Sequence, residues 1–533
     1  MQDNVIIGVN ILETLTTGMY RDAKVIFREY IQNACDQIDE AVECSLLESN
    51  EGNVEIWIKN DYVSIEDNAT GIPAELFKKT LYSIGESEKI AGKSRGFRGI
   101  GHWCGFAHCE TLVFTAKTEG ENIESVMTCD AAKMRLMMLD HRLKKVYYTI
   151  DDVLSKTTVF TTNQTNNIGS HYFKVEMFGI KDAKRELCNE QNVKEYLSFI
   201  IPVGYATEFR FRKKIHDYAA KINQPIQEYN IRVNGGAVLK KYQPSFSTYG
   251  KGDDTITDVK FKEFNDDGGN LIAWMWFGIS SFKAQIVPTN KMRGIRLRSR
   301  NIQIGNEDTL QRLFNESNGR GLYYYIGEVF AISNELLPDS QRDYFESGAA
   351  RTQFEQFLYE FFNNELKSIY YAGSKVGAAY DKIEKAEQLE EEIIFTESSG
   401  KSVTEEQRNK FEEAQKKAEN AKLELSKLRE KNSSKLNNDN FGTVDAVVNE
   451  IIKKNEEKLA NRSRRPVLQK PISTIEKSTT ETNIKIIEVS KPTFANKSDE
   501  KLVPLSKIRD IIFKLADPST AEAIIAKIEE ELF

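Results

Sequence analysis

Residues 27–36 read Phe-Arg-Glu-Tyr-Ile-Gln-Asn-Ala-Cys-Asp and lie inside a segment with helical periodicity. Between residues 24 and 42, apolar side chains recur at the 3.6-residue spacing of a helix that buries one face. Glu29 and Asn33 are four residues apart, so both project from the same side of this helix. A carboxylate and an amide so placed can hold a water molecule beside a hydrated Mg²⁺ ion, whereas a solvated polar face is the alternative interpretation.

A second polar segment, residues 66–73, follows a predicted pair of strands at 54–58 and 62–65. Asp67 at the strand end can accept a hydrogen bond from an exocyclic amine, and Gly71 allows a flat ring to approach the backbone. Taken alone, this segment is also compatible with an ordinary Asp-Asn turn.

Residues 94–101 form a third segment, Ser-Arg-Gly-Phe-Arg-Gly-Ile-Gly, which runs into a predicted helix. Its glycines leave backbone N–H groups free to face phosphate, and the helix N-terminus adds a positive dipole. A fourth segment, Gly169-Ser170, enters a predicted strand, and its hydroxyl could bond an adenine or a bridging water. The third and fourth segments are weak evidence when each is taken alone.

The four segments together resemble the nucleotide-binding boxes of the GHKL superfamily. This superfamily includes gyrase-type topoisomerases, ninety-kilodalton heat-shock chaperones, histidine kinases and MutL-type mismatch-repair proteins. Residues 29–33 match its E-x-x-x-N box, and residues 67–71 match D-x-G-x-G with one departure, because Ala69 stands where Gly is usual. The resemblance implies an α/β (α+β) two-layer sandwich that binds ATP, then an α/β transducer domain and a mainly helical C-terminal tail.

The resemblance also implies roles for individual residues. Glu29 would orient and deprotonate the attacking water, Asn33 would ligate Mg²⁺ on the phosphates, and Asp67 would bond the adenine amine. A lid that closes over ATP would begin at residues 83–89. The other residues expected at the nucleotide are Asp36, Gly71, Ser87, Lys89, Gly96, Gly99, Ile100, Gly101 and Ser170.

A transducer domain of this superfamily supplies a basic residue to the γ-phosphate. The basic stretch 291–300 makes Lys291 the first candidate and Arg293 the second, while a positive face for DNA or an acidic partner is the alternative. Arg296, Arg298 and Arg300 alternate along a predicted strand, which places them on one face. Residues 336–346 resemble a segment of the stand-alone chaperone-like ATPases in this group, and they are assigned only a packing role.

Composition sets the limits of the organisation. The chain has 533 residues, a net charge of −7 and six irregularly spaced cysteines, which favours several domains, reduced thiols and a cytoplasmic location. Neither a secretory signal nor a membrane-spanning segment is expected. Further strands are predicted at 111–117, 146–150, 157–161, 171–177, 209–211, 231–233 and 271–279.

The expected domains run in five blocks. They are a nucleotide-binding domain at 1–180, a transducer domain at 181–371, a coiled-coil helical hairpin at 372–435, a linker with one helix at 436–500 and a helix pair at 501–533. Within the hairpin, Thr404 and Gln407 fit a capping box, and an alanine-rich seam fits close helix packing.

These expectations converge on a Mg²⁺-dependent ATPase that acts as a conformational switch or clamp. ATP would close the lid and bring two protomers together on a protein partner held by the helical tail, in a chaperone-like manner that would suit a bacterial defence system. The alternatives are a DNA clamp of the MORC or MutL type and a nucleotide-gated scaffold without turnover. A histidine kinase is disfavoured because no His precedes His102.

Overall fold

A computed structural model describes Val9, Leu12 and residues 22–86, 94–96, 99, 101–433 and 442–463. The chain divides into two compact units, Met1–Arg465 and Pro466–Phe533, and all described residues belong to the first. Apart from Leu12, the predicted helix at 11–15 lies outside the described residues, as does the predicted helix pair at 501–533.

A large mixed sheet, called the first sheet, occupies the amino-terminal part of the chain. Its strand order is β5-β4-β3-β6-β2-β1-β7-β8, and its pairs are antiparallel except for β1 with β7. The strands are β1 Asn53–Ile58, β2 Tyr62–Asp67, β3 Thr111–Lys117, β4 Ile123–Asp130, β5 Thr158–Gln164, β6 Tyr172–Phe178, β7 Asn230–Val233 and β8 Gly236–Ala237. Because β7 and β8 follow residue 180, the sheet extends beyond the expected first domain.

Helices pack on this sheet through their apolar sides. The helices are α1 Val25–Glu43, α2 Ala74–Tyr82, α3 Ala131–Arg142, α4 Ile150–Thr157, α5 Lys184–Leu187 and α6 Glu190–Ile200, and a 3-10 helix covers Gly101–Ala107. The next helix, α7 Arg212–Lys221, instead buries Ile215 and Ala219 with Trp274 and Trp276 further along the chain. Helix α1 contacts β1, β2 and the 3-10 helix. Its period-3.6 residues are buried, as the sequence predicts.

Alternation along β1 shows how the first sheet divides its two faces. Val54, Ile56 and Ile58 are buried in the core shared with α1, whereas Trp57 between them is 46% exposed. Since successive side chains of a strand point to opposite faces, the core lies on one face at this strand.

A five-stranded second sheet follows, with the order β11-β12-β15-β13-β14 and a separate hairpin of β9 and β10 before it. The strands are β9 Ser245–Thr248, β10 Gly252–Thr255, β11 Asp258–Asn265, β12 Leu271–Ile279, β13 Gly294–Ser299, β14 Ile302–Ile304 and β15 Ile326–Ala331. Two 3-10 helices, Gln311–Leu313 and Glu316–Tyr324, precede β15. The second sheet is mixed, because β13 and β15 pair in parallel.

A buried charged cluster joins the strands of the second sheet to the segments around it. Glu328, Arg298 and Lys240 are each 0% exposed. Arg298 Nε and Tyr205 OH donate to the Glu328 carboxylate, and Lys240 Nζ lies 3.6 Å from Glu328 Oε2. Burial raises the pKa of a carboxyl, but Arg298 and Lys240 outweigh it and hold the pKa of Glu328 below its usual range.

The carboxy-terminal part of the first unit is helical. Its elements are α8 Ala349–Phe361, a π-helical turn Phe362–Leu366, α9 Lys367–Ser398, α10 Glu405–Ser433 and α11 Gly442–Ser463. Helices α9 and α10 form the predicted hairpin, and α11 packs against α9. Helix continues across residue 371, so the expected domain end there falls inside a continuous helix.

Two sequence features of the hairpin are confirmed. The Gln407 N–H donates to Thr404 Oγ1 at 3.2 Å, while the Thr404 N–H donates to Gln407 Oε1 at 3.0 Å, which completes the capping box. Ala414, Ala418 and Ala421 are buried along the seam.

Two predicted strands are wrong. Residues 146–150 lead into α4 instead, because Thr149 and Asp152 form a capping box that starts a helix. Residues 209–211 end in a turn at the start of α7, and their aromatic side chains are buried beside Trp276 rather than paired in a sheet.

No helix within the described residues has the length and apolar character needed to cross a membrane.

Glu328→Gln should destabilise the protein by about 3 kcal/mol, because it leaves two buried cations without their counter-charge. Chemical denaturation of the variant and of Glu412→Gln, an exposed control on α10, measures this effect. A loss below about 1 kcal/mol would show that the carboxylate charge is not what balances the cluster.

Candidate functional site

Most of the residues predicted at the nucleotide surround one cavity of about 1640 Å³. Those in its lining are Glu29, Asn33, Asp36, Asp67, Gly71, Gly96, Gly99 and Gly101. They come from α1, from the end of β2 and from the glycine-rich segment, which are far apart in sequence. Ser87, Lys89 and Ile100 lie outside the described residues.

Helix α1 presents the carboxylate and the amide. Glu29 is buried and Asn33 is half-buried, one turn apart on the cavity side, while the apolar residues of the helix face the core. A buried carboxylate needs compensating partners. Glu29 Oε1 has two, because Arg28 Nε lies at 3.4 Å and Arg342 Nε at 3.5 Å.

Two glycines allow the backbone to approach these side chains. A Cβ atom on Gly101 would lie 2.9 Å from Glu29 Oε2, and a Cβ atom on Gly96 would lie 3.0 Å from Asn33 Oδ1. Any side chain at 101 would therefore displace the Glu29 carboxylate. The described part of the glycine-rich segment thus lies directly over the face of α1 that carries Glu29 and Asn33.

The third glycine of this segment has a conformational role. Gly99 has a φ of +68°, and a Cβ there would lie 2.3 Å from the Glu86 carbonyl oxygen. The Gly85 N–H donates to the Gly99 carbonyl at 3.2 Å. The glycine segment and the start of the predicted lid are therefore in contact.

The turn after β2 forms around Asp67. The Ala69 N–H donates to Asp67 Oδ1 at 3.0 Å, and the ring Nδ1 of His171 lies 2.8 Å from the Ala69 carbonyl oxygen. Ala69 is fully buried and is not among the residues with positive φ. The departure from the family pattern at position 69 therefore causes no backbone strain.

Gly71 is the residue of this turn that must be glycine. Its φ is +67°, and a Cβ would lie 2.0 Å from the Lys117 carbonyl oxygen at the end of β3. A real Cβ cannot occupy that position, so the turn and the strand end would have to separate. Gly71 thus keeps this end of the cavity in shape.

Asp36 is an anchor of the glycine segment. Its Oδ1 accepts from the Arg95 N–H at 3.0 Å, and its Oδ2 accepts from the Gly96 N–H at 3.0 Å. Both oxygens are engaged with the loop, so the structure favours a loop-holding role over the predicted direct contact with nucleotide.

Ser170 does not lie in the cavity lining. Its hydroxyl donates to the Asn167 carbonyl oxygen at 3.1 Å, and its own carbonyl oxygen accepts from Lys117 Nζ. Phe173 and Thr118 line the cavity instead, and sequence reasoning missed both. Phe173 on β6 pairs with Asp67 on β2 and with Ala116 on β3. The strand register therefore places Phe173 directly beside Asp67.

Thr118 carries an unused polar atom at this end. Its Oγ1 is buried and has no hydrogen-bond partner within the described part of the chain. It lies one residue beyond Lys117, whose carbonyl packs on Gly71. Such an orphaned hydroxyl is a feature that a polar ligand edge or a bound water would satisfy.

Besides Arg28, the basic residue at Glu29 is Arg342, which comes from the segment 336–346. A tight loop presents it: the Asp343 and Tyr344 N–H groups donate to the Asp339 carboxylate at 3.0 and 3.2 Å. Arg342 has a φ of +58°, a conformation that costs a residue with a side chain on the order of 1 kcal/mol and commonly marks functional positions. The packing role assigned from sequence is therefore too limited.

The prediction of Lys291 and Arg293 as the basic residues at the site is not supported. Neither is among the described residues that line the cavity. Lys291 is exposed, and Arg293 stacks over the ring of Tyr323 at 4.1 Å. The basic composition of residues 291–300 is a local feature of the sequence. It could not indicate that Arg342, from a distant loop, lies beside Glu29.

The predicted arginine stripe is also wrong as a partner surface. Arg296 and Arg298 are buried: Arg296 donates to Gln303 Oε1 at 2.7 Å, and Arg298 pairs with Glu328. Only Arg300 of the three reaches a cavity, and it lines the one described above. Two of the three arginines are therefore not exposed for a partner to contact.

Metal ligation by the His and Cys residues after the glycine segment is not indicated. Within the described residues, no group of three or more His, Cys, Asp or Glu side chains is placed to hold a metal ion. His102 is half-buried with its Nε2 3.1 Å from the Leu81 carbonyl oxygen, and desolvation lowers its pKa to about 4. Burial likewise raises the pKa of Cys104, as expected for a structural thiol.

No protein-family model matches this chain, and a search of curated proteins finds no relative. Function must therefore be inferred from the residues of the site.

Gly71→Ala should weaken ligand binding in this cavity at least about tenfold, because the new methyl group separates the Asp67 turn from β3. Gly120→Ala is the matched control, since Gly120 also has positive φ but nothing lies within 4 Å of its Cβ position. The control should lose about 1–2 kcal/mol of stability and keep its affinity. Equal affinity in both variants, measured by calorimetric titration with ATP, would contradict the assigned role.

Proposed function

We propose that this protein is a Mg²⁺-dependent ATPase of the GHKL type that works as a conformational switch or clamp. The observation that carries the proposal is the position of Glu29, whose carboxylate lies against Gly101 and beside Arg342 in the cavity lined by Asn33 and Asp67. Phosphoryl transfer to water requires a carboxylate, a metal-binding amide, backbone N–H groups and a cation around one space. Glu29, Asn33, the glycine segment and Arg342 would supply them.

The architecture is compatible with this proposal. We interpret the first sheet and its helices as the two-layer nucleotide-binding sandwich, and the second sheet as the transducer domain. The basic residue that a transducer domain supplies would be Arg342, because it approaches Glu29 from residues beyond the second sheet.

Glu29 is placed to act as the general base. Its Oε1 is held by two arginines, while its Oε2 faces the backbone at Gly101. A fixed carboxylate can orient a water molecule and accept its proton as the water attacks the terminal phosphorus. Arg342 keeps this carboxylate oriented, and its charge can stabilise negative charge that develops on the phosphoryl oxygens.

Asn33 fits the expected Mg²⁺ ion. Mg²⁺ is usually held by one or two protein oxygens together with phosphate oxygens and waters, and Asn33 Oδ1 lies at the Gly96 backbone where phosphates would be cradled. When bound, the ion would neutralise charge on the phosphates.

The part of the cavity lining around Asp67 suits the base of the nucleotide. Asp67 is buried, and one of its carboxylate oxygens accepts from Ala69 within the turn. A buried carboxylate there favours an exocyclic amine, which adenine has and guanine lacks at the equivalent position. Phe173 and the orphaned Thr118 hydroxyl add an apolar and a polar contact.

Turnover would be coupled to a partner through the helical part. We propose that the hairpin of α9 and α10 and the following chain engage a protein partner, and that ATP favours a homodimer, in a chaperone-like cycle. A DNA clamp has less support, because Arg296 and Arg298 are buried. A scaffold without turnover has less support as well, because a positioned base would serve it no purpose.

Glu29→Gln and Arg342→Ala should each lower steady-state phosphate release from Mg²⁺-ATP by on the order of 10²-fold or more, with nucleotide still bound. Lys291→Ala is the matched control and should leave the rate unchanged.

The same assay with and without duplex DNA separates the clamp interpretations. Unchanged rates with DNA favour a protein partner, and strong stimulation would favour the DNA clamp. Full activity in Glu29→Gln would overturn the assignment of the base.

A further inference from the structure

Arg95 is a buried arginine in the glycine segment that the proposed mechanism does not use. It is 5% exposed and lies directly before Gly96. Its guanidinium makes four polar contacts: NH1 donates to Asp36 Oδ1 at 3.3 Å and to Asp39 Oδ2 at 2.7 Å, and NH2 donates to Gln227 Oε1 and to Tyr229 OH, both at 2.6 Å.

These contacts join two separate parts of the chain. Asp36 and Asp39 belong to α1, whereas Gln227 and Tyr229 belong to the segment that leads into β7. The Tyr229 hydroxyl also donates to Asp39 Oδ1 at 2.5 Å, which closes the ring of contacts. Only a planar group with donors on both sides can satisfy all four acceptors at once.

The backbone of the same residue holds the proposed catalytic arginine. Arg342 NH2 donates to the Arg95 carbonyl oxygen at 2.7 Å, while Arg342 Nε lies 3.5 Å from Glu29 Oε1. The position of Arg342 at Glu29 therefore depends on where the Arg95 peptide lies. The Arg95 side chain and the Asp36 carboxylate together fix that peptide.

The contacts continue towards the second sheet. The Gln227 carbonyl oxygen accepts from Asn301 Nδ2 at 2.7 Å, and Asn301 Oδ1 accepts from Lys240 Nζ at 2.9 Å. Lys240 belongs to the Glu328 cluster. A displacement of the glycine segment would thus strain contacts that reach the buried core of the second sheet.

We propose that Arg95 is a positioning residue that fixes Arg342 against Glu29 and makes hydrolysis depend on the docking of the glycine segment to residues 227–229. This inference rests on the proposed ATPase function and assigns it a residue that links the site to the rest of the unit. If bound nucleotide rearranged the glycine segment, the Arg95 peptide would transmit the displacement to Arg342.

The test compares Arg95→Lys with Arg135→Lys, a control arginine that donates to the Phe106 and Cys109 carbonyl oxygens and takes no part in this ring. Lysine keeps the charge of Arg95 but cannot serve both sides. Arg95→Lys should lower turnover about tenfold or more and change ATP affinity less than about threefold, whereas the control should change neither.

A double variant shows whether Arg95 acts through Arg342. On the Arg342→Ala background, Arg95→Lys should cause no further loss of turnover, because the group that it positions is already absent. Losses that multiply would overturn the proposal, as would wild-type turnover in Arg95→Lys. If Arg95→Lys fails to fold, Tyr229→Phe removes two contacts of the ring, the one from Arg95 NH2 and the one to Asp39 Oδ1, and should show a smaller loss with the same non-additivity.

Hydrogen exchange without nucleotide gives a readout that does not need activity. The Arg342 N–H donates to the Asp339 carbonyl oxygen, and the Asp343 and Tyr344 N–H groups donate to the Asp339 carboxylate. The exchange rates of these three amides therefore report how well the loop is ordered. Arg95→Lys should speed their exchange about tenfold relative to wild type and Arg135→Lys. Unchanged exchange in Arg95→Lys would reject the positioning role. Faster exchange in Arg95→Lys, together with no ATP hydrolysis by the wild type, would reject only the proposed ATPase function.

Discussion

The burial of one carboxylate, that of Glu29, constrains much of this structure. The buried negative charge on α1 must be compensated, and the compensation comes from Arg28 and from Arg342. Arg28 also donates to the carbonyl oxygen of Gln341, which lies 313 residues further along the chain. The loop that carries Arg342 must therefore fold back onto α1. This requirement brings a segment from beyond the second sheet to a site built mainly on the first.

Close backbone approach is the second constraint. Gly101 and Gly96 rest on Glu29 and Asn33, and Gly71 rests on the end of β3. A Cβ atom at Gly71 would overlap the backbone of Lys117, whereas a Cβ atom at Gly101 or Gly96 would require the Glu29 or Asn33 side chain to move. The shape of the cavity therefore depends on glycine at these points. Charge and backbone geometry thus act together, since the residues that carry the chemistry are those against which the glycines pack.

The sequence predicted the elements whose signal is local. The period of α1, the alternation in β1 and β2, and the Thr404 cap of the hairpin all depend on neighbours within a few residues, and the structure confirms them. Three of the four predicted boxes line one cavity, because strand ends and helix faces converge there. The exception is Ser170, whose neighbour Phe173 reaches the cavity through strand pairing.

The failures involve contacts between residues distant in sequence. Lys291 is the first candidate from sequence because its stretch is basic, yet the arginines beside Glu29 are Arg28 and Arg342. Arg298 reads as an exposed residue until its partner Glu328, on a strand that pairs beside it, is known. The strand predicted at 146–150 failed for a different reason, since a capping box overrode the β-branched composition.

In the proposed function, the cavity binds Mg²⁺-ATP with the adenine base of the nucleotide at Asp67. Calorimetric titration of wild type and Asp67→Asn with Mg²⁺-ATP, and of wild type with Mg²⁺-GTP, tests it most directly. The expected result is one ATP bound per chain, affinity at least about tenfold weaker in Asp67→Asn, and a clear preference for ATP over GTP. Absence of ATP binding by the wild type, or equal affinity in the variant, would contradict it.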